Sequence, residues 1–219
     1  IGNLIKSSQL ASLFIGGTFV ASMGAAVNMA AKFERFGKAA EFLTGSTDAA
    51  KEFAKAVREV AVQTMFNVDE IAEMESRLIG NTRNVQLSTK TLKALADAVA
   101  ATGGAFPELE ASTRAWIQIN ARGKASAEEL NRQFANANIP IVRLLGESIL
   151  KDVNHPLRKY VEVAKEATKG SEGYEDAVRG ITAQLQNIGE LDIPGAIAAE
   201  AVTRALDEAY GGANQTLIQ

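Results

Sequence analysis

The stretch Ser126-Ala127-Glu128-Glu129-Leu130 is the clearest structural signal in the sequence. It has the form of a capping box, in which the side chains of Ser126 and Glu129 bind each other's backbone N–H groups at the start of a helix. Leu130 and Phe134 are four residues apart and therefore share one face of that helix. The stretch predicts a helix that begins at Ser126 and buries one side.

Similar helix signals extend in both directions from this stretch. Downstream, Ile139 and Pro140 form a turn that starts a further helix, and Asn138 before them tolerates a left-handed backbone. Upstream, Asn67 and Glu70 form another N-cap pair. The sequence has no run of alternating β-branched residues that would indicate a strand. It therefore predicts an all-α fold, a multi-helix array of short amphipathic helices.

Apolar residues at helical spacing predict the buried faces of these helices. These residues are Phe33, Phe36, Ala40 and Leu43; Phe53, Val57, Val60 and Ala61; Val68, Ile71, Ala72, Leu78 and Ile79; Leu92, Leu95, Ala96 and Val99; and Tyr174, Val178, Ile181, Leu185 and Ile188. The last set has the spacing of two coiled-coil heptads. Ser88 is predicted to cap the helix that contains Leu92. The acidic side chains Asp69, Glu70, Glu73 and Glu75 are predicted to lie on the solvated arc of their helix.

A long uncharged stretch from Leu10 to Ala31 precedes the array. Its length would span a bilayer, although its many small and polar residues make it only weakly apolar. Small residues recur at every fourth position, so a second helix can approach its backbone closely. We predict a long apolar helix here, which is either a buried packing helix or an oligomer or membrane contact. The predicted contact residues are Phe14, Gly17, Phe19, Ala21, Ser22, Ala25 and Ala26.

Composition excludes several classes of function. The chain has no cysteine and one histidine, so zinc fingers, iron–sulfur clusters and thiolate nucleophiles are excluded. A net charge of -3 argues against a protein that binds nucleic acid by neutralising phosphates. Neither glycine pair, Gly16-Gly17 or Gly103-Gly104, is followed by the residues of a phosphate-binding loop. We expect no cofactor and no metal, and we interpret His155 as a helix-cap or surface residue.

Changes in composition divide the chain into three parts. We predict a long apolar and amphipathic helix over residues 1–44, a helical domain over 45–169 and a C-terminal helical extension over 170–219. The chain starts at Ile1 and stops shortly after a glycine pair, as a piece of a longer protein would, and we expect it to be a fragment.

One short segment suggests an enzyme. Gly146-Glu147-Ser148 is similar to the Glu-Ser pair of lytic transglycosylases, in which a buried glutamic acid protonates the glycosidic oxygen. The downstream Gly-Leu-Met-Gln-like segment of those enzymes is missing from this chain. A cell-wall lytic enzyme that acts through Glu147 therefore stays a minor alternative.

Several motifs together resemble a known family. They include Ala31-Lys32-Phe33-Glu34, Gln63-Thr64-Met65-Phe66, the helix Ala94–Ala101 with its glycine break, and Arg122-Gly123-Lys124 running into the capping box. The most specific residues are Arg122, Gly123, Lys124, Ser126, Glu129, Ile139 and Pro140. Over residues 31–150 the chain resembles the tape-measure domain of the tail length-determining proteins of bacteriophages. Asn138 stands where that family often has glycine.

The resemblance implies a structural protein of the virion and no enzymatic activity. Copies of such a protein occupy the lumen or tip of the tail tube, set tail length, and leave ahead of the DNA to help form a conduit through the host envelope. The implied partners are further copies of the chain as a trimer or hexamer, tail tube and tail-tip or baseplate hub proteins, tail assembly chaperones, the host membrane, and phage DNA only indirectly. A membrane-active, pore-forming helical protein is the main alternative.

Overall fold

The computed structural model describes residues 23–123, 127–163, 169–187 and 193–218. This part of the chain contains ten α-helices, one short 3-10 helix and no strand. Contacts between Cα atoms divide the chain into two compact units, the first ending at Leu92 and the second beginning at Lys93. The all-α prediction is confirmed for the described residues, whereas the division at residues 44 and 169 stays a prediction.

The first unit is built from three helices and the start of a fourth. They are α1 (Met23–Thr44), α2 (Ala49–Gln63), α3 (Val68–Thr82) and α4 (Val85–Ala101), which continues into the second unit. The helices α1, α2 and α3 all pack on one another. Phe53 lies at the centre, with its ring 6.0 Å from that of Phe33 and 6.1 Å from that of Phe36. The apolar spacing read from the sequence therefore locates this core correctly.

Helix ends in the first unit follow local sequence signals, with one correction. Glu70 accepts a hydrogen bond of 2.8 Å from the backbone N–H of Asn67, as the N-cap pair predicted. The prediction that Ser88 caps the next helix is wrong. That helix begins at Val85, four residues before the start that a Ser88 cap implies, and the side chain of Asn84 accepts the N–H of Leu87 at 2.9 Å. Asn84 is an equally good capping residue, and it lies nearer to the end of α3.

The second unit contains the remaining helices. They are α5 (Phe106–Ala121), α6 (Ala127–Ala135), α7 (Ile141–Lys151), a 3-10 turn (Arg158–Tyr160), α8 (Tyr174–Gln186), α9 (Gly195–Tyr210) and α10 (Ala213–Ile218). Helix α7 packs on α8 and α9, and α9 also packs on α5. Val178, Ile181 and Leu185 are buried on α8, so the heptad spacing serves packing within this unit.

The prediction of a preceding long apolar helix is wrong. The first described helix, α1, begins at Met23, and from Lys32 onward it carries five charged side chains. No helix in the described residues combines the length and apolar character needed to cross a bilayer. The contact residues proposed at positions 14–22 lie outside the described residues, and the side chains of Ala25 and Ala26 are likewise not described. Amphipathic spacing after Ala31 explains why α1 packs on α2 and α3.

Candidate functional site

The described start of the motif that carries the family resemblance, Arg122, follows the end of α5, where the first residue of α9 lies against it. Helix α5 ends at Ala121, and the N–H of Arg122 bonds to the carbonyl oxygen of Ile119 at 3.3 Å. Gly195, the first residue of α9, lies directly against the carbonyl oxygens of Ile119 and Arg122. A methyl group at this position would overlap both oxygens, so only glycine allows the contact. The positive end of α9 thus meets the negative end of α5.

The capping-box half of the motif starts a helix at the expected position. Helix α6 begins at Ala127, the residue after Ser126, and its Leu130 and Phe134 are fully buried. Lys124 and Ser126, and the side chain of Glu129, lie outside the described residues, so the capping bonds themselves stay a prediction. Among the described motif residues, Arg122, Gly123 and Pro140 are exposed and Ile139 is buried.

The Ile-Pro turn closes the same motif. Asn138 has φ 53°, a left-handed conformation that asparagine adopts more easily than most residues. This allows the chain to reverse so that the N–H of Ile139 bonds to the carbonyl oxygen of Phe134 at 3.3 Å. Ile139 is buried, and Pro140 precedes the first turn of α7. The predicted turn is confirmed.

Glu147 lies on α7 at the edge of an open groove of about 790 Å³. Its carboxylate accepts a hydrogen bond of 2.9 Å from Arg143, whose guanidinium also pairs with Glu175 at 3.0 Å. Both carboxylates raise the pKa of Arg143, and Glu175 has the larger effect. A general acid must hold a proton, whereas the Glu147 carboxylate accepts a hydrogen bond from a guanidinium. The geometry at Glu147 gives no support to the lytic-enzyme interpretation.

The residues on either side of Glu147 serve packing. A methyl group on Gly146 would lie 2.8 Å from the hydroxyl oxygen of Thr182 and 3.4 Å from the carbonyl oxygen of Val178, so Gly146 allows α7 and α8 to cross closely. Ser148 is buried. In the Gly-Glu-Ser segment that suggested an active site, Gly146 thus lies at the crossing of two helices.

Two buried polar contacts of the second unit were not predicted from the sequence. Trp116 donates its indole N–H to the carbonyl oxygen of Ala199 and to the hydroxyl of Thr203, both at 2.9 Å. Asp97 accepts bonds from the N–H of Gly212 at 3.0 Å, and from the backbone and side chain of Asn214 at 3.2 and 2.9 Å. The first contact joins α5 to α9, and the second anchors α10. Their partners are more than 80 residues apart, so no local pattern reveals them.

His155 lies inside the second unit, so its interpretation as a surface residue is wrong, whereas its side chain does cap the turn that leads into the 3-10 helix. Its side chain is buried, and Nδ1 accepts the N–H of Leu157 at 3.1 Å. Burial, and next the charge of Arg204, lower the pKa of the imidazole to about 4. The described residues contain no group of three or more acidic or histidine side chains that could hold a metal ion.

Comparison with known proteins identifies the family. The tape measure protein family matches residues 24–163, which is more than half of the chain. The chain is also 26% identical over 118 residues to proteins named "Probable tape measure protein" from Lactococcus phage p2 and Lactococcus phage SK1. The alignment covers 54% of this chain but only 12% of each relative, and no solved structure matches. The chain therefore belongs to the tape measure protein family.

Proposed function

We propose that this chain is a folded segment of a phage tail tape measure, which sets tail length during assembly and leaves ahead of the DNA. The family match over residues 24–163 carries this proposal. The role is structural, and the contacts made by Glu147 fit that role because they are ion pairs on the surface of a helix. We further propose that the exposed motif surface around Arg122 and Gly123 contacts other tail proteins.

The two folded units favour a place at the tail tip over an extended place along the tube. A fully helical chain of this length would span about 330 Å, at about 1.5 Å per residue. A compact unit of about 100 residues has a radius of gyration of only about 13 Å. The segment as folded is thus a poor ruler. We propose that it sits among tip or hub proteins, in several copies around the tail axis, while the rest of the parent protein provides the length.

Tail length in the parent phage tests this proposal. The experiment removes residues 23–92 in frame from the complete gene and measures tails by negative-stain electron microscopy. An extended segment of about 70 residues would shorten the tail by about 105 Å. A compact segment at the tip would change the length by much less. A duplication of the same residues is the matched control, since it changes length in the opposite direction.

Each outcome decides one part of the proposal. Tails close to the original length, with the shortened protein present in them, support a folded segment at the tip. Shortening by about 105 Å supports a measuring segment in the lumen and contradicts the tip location. Normal tails from which the shortened protein is missing would contradict the tape-measure role itself.

A further inference from the structure

Glu75 is an acidic residue in the interior of the first unit. It was predicted to lie on the solvated arc of α3, but its exposed fraction is 0%. Its Oε1 atom is 2.8 Å from the hydroxyl oxygen of Thr89 on α4. Its Oε2 atom is buried without a hydrogen-bond partner among the described residues. A charged carboxylate in such a place would be strongly destabilising, because burial without compensation disfavours the ionised form.

The contacts of the Thr89 hydroxyl indicate the protonation state of the Glu75 carboxyl group. The Thr89 hydroxyl has one proton, yet its oxygen lies 2.8 Å from both Oε1 of Glu75 and the carbonyl oxygen of Val85. The carbonyl oxygen of Val85 can only accept, so the single hydroxyl proton cannot serve both Val85 and an ionised Glu75 with a full hydrogen bond. The contact between Thr89 and Glu75 then needs a second proton. Only a neutral Glu75 carboxyl group provides it.

No neighbouring charge replaces this proton. Apart from Glu75 itself and Asp97, whose carboxylate bonds to Gly212 and Asn214, the charged side chains of the four helices α1 to α4 are exposed or half-buried. Burial is the first cause of the shift that raises the pKa of Glu75 to about 8. A hydrogen bond donated by Thr89 to a carboxylate would lower the pKa. The charged residues of these helices are Lys32, Glu34, Arg35, Lys38 and Glu41 on α1; Lys51, Glu52, Lys55, Arg58 and Glu59 on α2; Asp69, Glu70, Glu73 and Arg77 on α3; and Lys90, Lys93 and Asp97 on α4.

We propose that Glu75 is a proton-dependent latch of the first unit, in which its neutral carboxyl group donates to Thr89 and so fastens α3 to the first turns of α4. Alkaline pH removes the proton and releases this contact. A carboxyl group that is neutral in the folded state and charged in the unfolded state lowers the free energy of unfolding as pH rises. This inference concerns the folded unit alone and does not depend on the role in the tail.

The first test is a titration of the whole 219-residue chain with ¹³C-labelled glutamate, followed by NMR of the side-chain carboxyl carbons. We expect the Glu75 signal to titrate at about pH 8, several units above the signals of exposed glutamates. Protection of the α3 and α4 amides against hydrogen exchange should fall over the same range, by on the order of 100-fold between about pH 6 and pH 9. A Glu75 midpoint among those of the exposed glutamates would overturn the proposal.

Two substitutions separate the latch from ordinary packing. Glu75→Gln keeps the shape and an N–H donor, so it should abolish the alkaline loss of protection, whereas Glu73→Gln on the exposed face of α3 should leave that loss intact. An unchanged alkaline loss in Glu75→Gln would overturn the latch. Thr89→Val removes the acceptor of the Glu75 proton and should lower the midpoint of Glu75. A higher midpoint would mean that Thr89 donates to a carboxylate, which also contradicts the proposal.

Discussion

Replacement of Gly195 by alanine tests the contact between α5 and α9 at which the family motif begins. Gly195 is the first residue of α9, and its Cα faces the carbonyl oxygens of Ile119 and Arg122 at the end of α5. Both obstacles are backbone atoms, so no side-chain rotation can relieve the overlap. The added methyl group must push α9 away from α5.

The cost can be worked out from the contact. Overpacking of a buried contact costs about 1–3 kcal/mol, and fixed backbone obstacles place this site towards the upper end. The lower entropy of the unfolded chain with alanine returns about 0.4–1 kcal/mol. We expect the free energy of unfolding of the second unit to fall by about 2 kcal/mol. With a urea dependence of about 2 kcal/mol per molar, the midpoint shifts down by about 1 M.

The assay uses the only tryptophan of the sequence, Trp116, whose indole bonds to Ala199 on α9. Its fluorescence in a urea titration reports directly on the contact between α5 and α9. Gly180→Ala is the matched control: Gly180 lies in the exposed middle of α8, with open space where the methyl group goes, and should gain about 0.5–1 kcal/mol. If Gly195→Ala is as stable as the original chain or as Gly180→Ala, the close contact described here is wrong.

Three further changes test other contacts of the second unit. Trp116→Phe removes the donor to Ala199 and should cost about 1–2 kcal/mol, measured by circular dichroism in urea; an unchanged midpoint would contradict this. Asp97→Ala leaves the N–H groups of Gly212 and Asn214 without their acceptor, so α10 should become sensitive to limited proteolysis while α5 stays protected. If α10 is cleaved equally fast in the variant and in the original chain, Asp97 does not hold α10 in place. The folded chain holds the pKa of His155 at about 4, so protonation of this histidine favours the unfolded chain. The free energy of unfolding should be highest above about pH 6.5 and fall by about 2 kcal/mol towards pH 4, after allowance for solvent screening. His155→Gln should remove this part of the acid dependence.

Local signals in the sequence were sufficient where a few neighbouring residues decide the structure. Asn67 with Glu70 located the start of α3, and Asn138 located a left-handed turn, because each depends only on adjacent backbone groups. Phe33 and Phe36 share one face of α1, and Phe53 lies on the apolar face of α2. Helical spacing within each helix therefore predicted the faces that meet in the core of the first unit.

Features that depend on distant partners could not be read from the sequence. Gly195 looks like any glycine after a proline, and its role becomes visible only when Ile119 and Arg122 lie against it. Glu75 has helical spacing typical of a solvated residue, yet Thr89 on the next helix gives it a buried partner. The uncharged stretch before Lys32 predicts a long apolar helix, and this prediction is wrong because no described helix is long and apolar enough to cross a bilayer. Uncharged length indicates such a helix only when strongly apolar residues provide it.

The presence of this chain in phage tails tests the central claim most directly. Purified virions of the parent phage, before and after DNA release is triggered, would be analysed by mass spectrometry for peptides from residues 24–163. If the chain is part of a working tape measure, intact virions contain these peptides. Virions that have released their DNA contain fewer of them, relative to the tail tube protein. Their absence from intact virions would contradict the account.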